Sequence, residues 1–478
     1  MAIRIHFHGA ARTVTGSKHL LELTRRDGSR TRVLLDCGMF QGEALRNGSG
    51  NDRNRTFGFD PRSIDLLVLS HAHIDHSGLL PRLVKEGFKG AIWCTPATRD
   101  LCAIMLEDSA RIQEYDHAFD TKRAMQRGRP VDTDGPLYTV DDVRPALELF
   151  QSLDYDEPRE LAEGITLRFT DAGHILGSAA VHLQLDDGEQ VARLCFTGDV
   201  GRYVGRLLPA PQPPPPADFI ICESTYGDRL HAPLAEAQEE LLGHVREVCV
   251  DQGGRLIIPA FSIGKTQEVL YALNALSNEG RLPHLPVYVD SPLAISATDI
   301  SRQYAHLLRP EVRAELENDP DLFSFPGTEF VRSADRSKQL NGQKRPCIII
   351  AASGMMEAGR VRHHLLHALP DAANGVLAVG FCAPGTLGAE LLDGADSVRI
   401  LGERIPVRAS IRRMGFFSAH GDQQELLRYL GGFDAPSVKR LFLVHGVDHA
   451  LSAMQDACTK QGFSDVAIPR LGEAFDLV

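Results

Sequence analysis

The run His71-Ala72-His73-Ile74-Asp75-His76 places three imidazoles and one carboxylate within six residues. Those are the donors that hard-to-borderline divalent cations take at hydrolytic sites, and zinc is the common choice for such a mixed set. A solvated polar loop explains one histidine; it does not explain this density. Sulfur is not expected among the donors. The nine cysteines are scattered singly, without a C-x-x-C pair, and most lie in apolar stretches that suit small buried thiols.

Short strands must present these groups. Alternating or continuously apolar runs separated by turns predict strands over Ile3–His8, His19–Thr24, Thr31–Asp36, Leu66–Ser70, Ile165–Thr170 and Val191–Thr197. The chemical residues follow such runs: Asp36 after Arg32-Val33-Leu34-Leu35, the histidine run after Asp65 to Ser70, and Asp199 after Leu194 to Gly198. Strand ends that aim side chains at a common edge are how open α/β sheets build sites. Helical periodicity covers Ala97–Ala118 and Val140–Leu149, expected to pack beside the site.

Six of the eight residues from Pro209 to Pro216 are proline, which makes a stiff connector. A second α/β region is expected beyond it, with strands near Phe219–Glu223, Arg255–Pro259, Val287–Asp290 and Cys347–Ala351. Helices near Leu234–Val250, Thr266–Leu276 and Gly359–Ala368 interleave with them. The tail returns to strand, helix and strand at Phe416–His420, Gln424–Tyr429 and Arg440–His445.

A chain of 478 residues suits two domains, or one interrupted by another. The 43% apolar and 24% charged fractions are those of a globular protein rather than a disordered or membrane one. No apolar run reaches the roughly 18 residues a membrane span needs, and the N-terminus lacks the pattern of a signal peptide. A cytoplasmic protein is expected. The net charge of −12 argues against whole-surface adhesion to nucleic acid but leaves a polyanionic substrate open, because bound cations would add local positive charge.

The histidine run resembles the signature of the metallo-β-lactamase superfamily, whose further ligands have counterparts here in the same order. They are His174 in Gly173-His174-Ile175, Asp199 in Gly198-Asp199 and His445 in Val444-His445-Gly446. The resemblance implies two Zn2+ per chain: His71, His73 and His174 on one, Asp75, His76 and His445 on the other, and Asp199 on both. It extends over Gly9–Gly16 and over Leu34-Leu35-Asp36-Cys37-Gly38, where Asp36 is expected to orient ligands.

Over nearly its whole length the chain is similar to the β-CASP nuclease branch of that superfamily. The landmarks are Glu223-Ser224-Thr225-Tyr226-Gly227, Pro259 to Glu268, Asp290-Ser291-Pro292-Leu293-Ala294, Ser353-Gly354-Met355 with Gly359-Arg360-Val361, Gly385 to Gly388, and Phe417-Ser418-Ala419-His420. The fold implied is α/β: a metallo-β-lactamase αββα sandwich over 1–225 and 413–478, with a β-CASP domain inserted at 226–412.

The function implied is hydrolysis of single-stranded RNA to 5′-phosphate and 3′-hydroxyl ends, in RNA processing or decay. Asp75, Glu223 and His420 are the expected catalytic residues, His420 acting as proton donor with Glu223 holding its ring. Lys265, Ser353 and Arg360 are candidates for substrate phosphate. The segment Gly264-Lys265-Thr266 is not a nucleotide-binding P-loop, since Pro259 replaces its first glycine.

Two positions depart from the branch. Val447 stands where an acid is common two residues after the final histidine, with Asp448 next; Lys265 stands where arginine is frequent, keeping charge but losing bidentate geometry. A domain inserted between Asp199 and His445 is expected to leave a cleft that admits one strand. With a short segment after His445, substrate affinity is expected from the catalytic core, an oligomer such as a homodimer, or another protein. The competing readings are a DNA-cleaving nuclease, a thioesterase or lactonase, which leaves Glu223 and His420 without a role, and a noncatalytic scaffold, which intact ligands disfavour.

Overall fold

The computed structural model describes residues 2–45, 52–128, 134–186, 190–231, 237–415 and 418–477. It divides into two compact units. The first comprises Met1–Tyr203, Ala210–Leu230 and His420–Val478; the second comprises Val204–Pro209 and His231–Ala419. Residues 226–230 therefore group with the first unit rather than with the insertion expected to begin at 226. The reason is local: the Gln423 amide donates to Gly227 O at 2.6 Å, and the Gln423 N–H donates to Arg229 O at 3.1 Å.

The first unit is an αββα sandwich. One sheet has seven strands in the order Ala474–Asp476, Ala2–Phe7, His19–Thr24, Arg30–Leu35, Leu66–Val68, Ala91–Cys94 and Phe150–Ser152. The other runs Val466–Ala467, Arg440–Val444, Phe219–Glu223, Val191–Phe196, Ala179–Asp186, Ile165–Asp171 and Arg159–Ala162. Alternation fixes which face is which: in Ala2–Phe7, Ile3, Ile5 and Phe7 are buried while Ala2 and Arg4 are exposed. They join Val33, Leu35 and Val68 in one core with Phe169, Val181, Leu194, Phe196 and Ile221 of the opposite sheet.

The central strand Phe219–Glu223 is buried on both sides, which is why it reads as an unbroken apolar run. Its other face, with Ile220 and Cys222, packs on Leu426 and Leu430 of the helix Gln423–Leu430 and on Leu451, Met454 and Cys458 of Asp448–Lys460. The polar connections between strands carry the chemistry. Leu66–Val68 is parallel to Arg30–Leu35, and Val191–Phe196, Phe219–Glu223 and Arg440–Val444 are mutually parallel neighbours, so their C-terminal ends share an edge.

The helix expected over Ala97–Ala118 runs from Pro96 to Gln126. Thr95 caps its start and Pro96 occupies the first turn, where a missing N–H costs nothing. Its last two turns, beyond Ala118, fall outside the expected span because the helix buries almost nothing after Ala110, and so has little apolar periodicity to read there.

The second unit holds a six-stranded, all-parallel sheet in the order Thr328–Phe330, Val287–Val289, Cys347–Ala351, Arg255–Pro259, Gly375–Ala378 and Ser410–Arg413. Separate apolar clusters cover its two faces, the doubly wound arrangement parallel sheets require. Leu234, Phe416 and Phe417, at the starts of an expected helix and strand, lie outside the described residues. The helix itself is observed as Ala237–Val245 followed by a π-helical stretch, Arg246–Asp251. No described helix is long and apolar enough to cross a membrane.

Candidate metal centre

The strand Leu66–Val68 ends in a loop that delivers His71 and His73, and the short helix Ile74–Ser77 then delivers Asp75 and His76. This turn is held by close backbone approach. The Ser17 N–H donates to Asp75 O at 2.8 Å, and a Cβ on Gly38 would lie 1.6 Å from that oxygen, so only glycine fits there. His445 leaves the strand Arg440–Val444 with φ 51°, and Asp36 leaves Arg30–Leu35 with φ 59°. Non-glycine residues adopt that left-handed region at a cost, and such positions concentrate at functional sites.

Seven side chains converge. His73 Nδ1 lies 3.2 Å from both His71 Nε2 and His174 Nε2. A single proton cannot satisfy three nitrogens aimed at one point. The second set has His76 Nε2 3.2 Å from His445 Nε2, and Asp75 Oδ2 3.4 Å from His445 Nε2 and 4.0 Å from His76 Nε2. Asp199 Oδ2 belongs to both, at 3.4 Å from His71 Nε2, 3.5 Å from His174 Nε2 and 3.4 Å from His76 Nε2. Its other oxygen is buried with no hydrogen-bond partner. Donors at about 2.0–2.2 Å around one tetrahedral ion stand roughly 3.3–3.6 Å apart, so these spacings fit a cation better than a hydrogen-bond network.

Protonation agrees with that fit. Burial pushes His71 well below the ordinary imidazole range and His73 down to about 4, leaving both neutral and able to donate a lone pair. Burial also opposes charge on His76, but the carboxylates of Asp199 and Asp36 outweigh it and raise that ring well above its usual value. Asp199 is buried too, yet the surrounding imidazoles hold it well below the carboxylate range. The proton that Asp199 and Asp36 hold on His76 in the protein alone is what a cation would displace.

Three groups orient the rings. His76 Nδ1 donates to Asp36 Oδ2 at 2.6 Å. The same oxygen accepts from Ser70 Oγ at 2.9 Å, and Ser70 Oγ faces His71 Nδ1 at 3.1 Å, so one carboxylate steadies a ligand of each set. His445 Nδ1 lies 3.0 Å from Thr225 Oγ1, whose hydroxyl donates to His445 O at 3.2 Å.

Ser70 and Thr225 were not singled out from the sequence. Thr225 lay inside a landmark motif, but nothing in spacing ties it to a histidine 220 residues away. It also answers the departure at Val447. The ring nitrogen already has a hydroxyl partner, Val447 serves as the N-cap of the helix Asp448–Lys460, and the exposed Asp448 carboxylate accepts from Arg12 Nη1 at 2.7 Å.

Glu223 ends its strand fully buried. It accepts from the Val200 N–H at 2.7 Å and the Thr225 N–H at 3.2 Å, and its two oxygens lie 3.1 and 3.2 Å from His420 Nδ1. His420 pairs through its backbone with Gly201, and its Nδ1 is 3.8 Å from Asp199 Oδ2. A Cβ on Gly201 would meet Gly173 O at 1.9 Å, so this bridge and the His174 loop lock together only around glycine.

The three phosphate candidates lie in the second unit. Arg360 donates to the buried Asp290 at 2.6 Å and to Val331 O and Arg332 O, which occupies its guanidinium with structure. Ser353 Oγ accepts from the Glu357 and Ala358 N–H groups as a local cap. Lys265 opens the helix Lys265–Asn278 and is largely buried.

Residues 25–244 match the profile of the metallo-beta-lactamase superfamily, 266–391 that of the Beta-Casp domain, and 404–469 that of the Zn-dependent metallo-hydrolase RNA specificity domain. A Thermus thermophilus protein named a ribonuclease is 39% identical over 98% of this chain and 99% of its own. The chain belongs to the β-CASP branch of the metallo-β-lactamase superfamily. It is a metal-dependent hydrolase. An RNase J-like protein of Methanocaldococcus jannaschii is 33% identical over 93% of this β-CASP chain and 92% of its own. A crystal structure of a protein of unknown function from Enterococcus faecalis V583 shares the fold, with TM-score 0.52, 12% identity and full coverage of both chains.

Proposed function

We propose that this β-CASP protein is a zinc-dependent ribonuclease that hydrolyses single-stranded RNA to 5′-phosphate and 3′-hydroxyl ends, with two Zn2+ per chain. The observation that carries the reading is the union of two donor sets through Asp199 with a separate His420–Glu223 pair beside them. The names of the relatives from Thermus thermophilus and Methanocaldococcus jannaschii support RNA as the polymer. The nine free, buried thiols support a cytoplasmic setting.

His71, His73 and His174 would hold one ion, Asp75, His76 and His445 the other, and Asp199 both. Bound there, the ions supply Lewis acidity that activates water and neutralises charge on the phosphodiester. The remaining work belongs to the chain. Asp36, Ser70 and Thr225 keep the ligand rings turned to the centre. Water oxygen joins phosphorus, the bond from phosphorus to the 3′ oxygen breaks, and that oxygen needs a proton. Glu223, pinned by two backbone N–H groups, takes the hydrogen bond from His420 Nδ1, which leaves Nε2 as the atom that delivers the proton.

The test is incubation of zinc-replete protein with single-stranded RNA and DNA labelled at either end. RNA products carrying 5′-phosphate, absent after chelation and restored by zinc, are expected. Cleavage of DNA alone, or of a thioester or lactone in place of any polymer, would overturn the reading.

A further inference from the structure

Tyr115 and Phe119 are the only exposed aromatic side chains among the described residues, at 65% and 40% exposure. Buried aromatics need no further explanation; two adjacent rings left in water do. They stand one turn apart on Pro96–Gln126, nearly parallel at 16°, with centroids 6.4 Å apart. That separation is close to two stacking intervals of about 3.4 Å.

At 3.6 residues per turn, Arg111, Tyr115, Phe119, Lys122 and Gln126 share one face of this helix; Asp108 lies on the same face before Arg111, while the acids Glu114, Asp116 and Asp120 fall off it. Other sides are fastened inward. Gln113 Oε1 accepts from the Leu137 N–H, Ser109 Oγ from Tyr138 OH, and Glu114 Oε1 from the Val140 N–H. Arg111 pairs with Glu107 through a solvent-exposed contact, with the charges of Glu114 and Asp108 also nearby, and an exposed link of that kind is weak enough for a phosphate to replace. A stripe of cation, ring, ring and cation is the composition that holds single-stranded nucleic acid without reading its sequence.

The helix also joins this stripe to the metal centre. Thr95 and Thr98 at its start donate to Gly177 O, three residues past His174. From Thr95 to Tyr115 the axis advances about 30 Å, the length of roughly nine stacked nucleotides.

We propose that the Tyr115–Phe119 face is a stacking platform for single-stranded RNA about nine nucleotides from the bond being cut. The proposal rests on the ribonuclease reading. The acidic chain as a whole would not attract RNA, so a local ring-and-cation stripe gives long substrates a grip that short ones lack.

The test compares wild type with the double variant Tyr115→Gln/Phe119→Gln on single-stranded RNAs of about 6 and about 30 nucleotides. Glutamine keeps helix propensity, so the fold is preserved. KM for the long RNA is expected to rise about tenfold or more, with kcat unchanged and the short RNA unaffected. The conservative variant Tyr115→Phe is expected to behave as wild type. An unchanged KM on the long RNA, with wild type active, overturns the platform alone. Loss of an oligomer in light scattering, with both RNAs affected equally, assigns the face to a second copy instead. If wild type neither binds nor cuts any RNA, the ribonuclease reading falls, and the platform with it.

Discussion

Each unit of the protein buries a cluster of histidine and aspartate at strand ends, and the two are built to opposite purposes. In the second unit, Asp290 is closed. One oxygen accepts from Arg360 at 2.6 Å, the other from His364 Nε2 at 2.6 Å and Ser337 Oγ at 2.5 Å. Burial works against its charge, but those donors hold its carboxyl below the usual range. In the first unit, Asp199 is open: its neighbours are ring nitrogens poised at ligand spacing, and one of its oxygens has no hydrogen-bond partner. The same residue types make a strut where both carboxylate oxygens have donors, and a candidate metal centre where the lone pairs face one another.

Chelation should separate the two most sharply. Removing metal is expected to take hydrolysis to background while far-UV circular dichroism stays unchanged, with zinc restoring turnover; activity that survives exhaustive chelation would place the chemistry outside the Asp199 cluster. Next in size, His420→Ala is expected to lower kcat by about 10²–10⁴-fold with zinc content intact. Loss of zinc in that variant, measured by metal analysis, would make His420 a ligand.

Asp290→Ala tests the strut. Stripping one partner from a buried charge cluster costs about 3–5 kcal/mol, so a lower unfolding midpoint is expected with zinc stoichiometry unchanged. A variant that unfolds normally but loses metal would erase the distinction between the clusters. Thr225→Val removes the hydroxyl beside His445 Nδ1, and a 10–100-fold loss of metal affinity by competition titration is expected. The smallest effect belongs to Val447→Asp, expected to change kcat by less than about twofold because Thr225 already occupies the ring nitrogen. A large gain there would show that the hydroxyl supports His445 poorly.

The contrast also explains what could be read early. Motif order along the chain carried the candidate ligands that the fold brings together, since His71, His73, Asp75 and His76 are close in sequence and each remaining residue follows a strand. It did not show that Arg360 pairs with the buried Asp290 or that Ser353 caps a local turn, because a cation or hydroxyl in a landmark motif looks the same whatever it faces. The last two turns of Pro96–Gln126, beyond Ala118, lay outside the expected span for the opposite reason: periodicity reports burial, and that end has little.

Apolar alternation and runs, being local, were enough to place strands such as Ala2–Phe7, Arg30–Leu35 and Phe219–Glu223 and the donor types that follow them, but not Ala179–Asp186 or Gly375–Ala378. Only the tertiary structure decided that Asp199 Oδ2 reaches both donor sets, that Asp36 steadies two rings through Ser70, and that Thr225 stands behind His445. Those are distances of about 3 Å between residues tens to hundreds of positions apart. They depend on parallel strands placing their ends on one edge, which no spacing along the chain encodes.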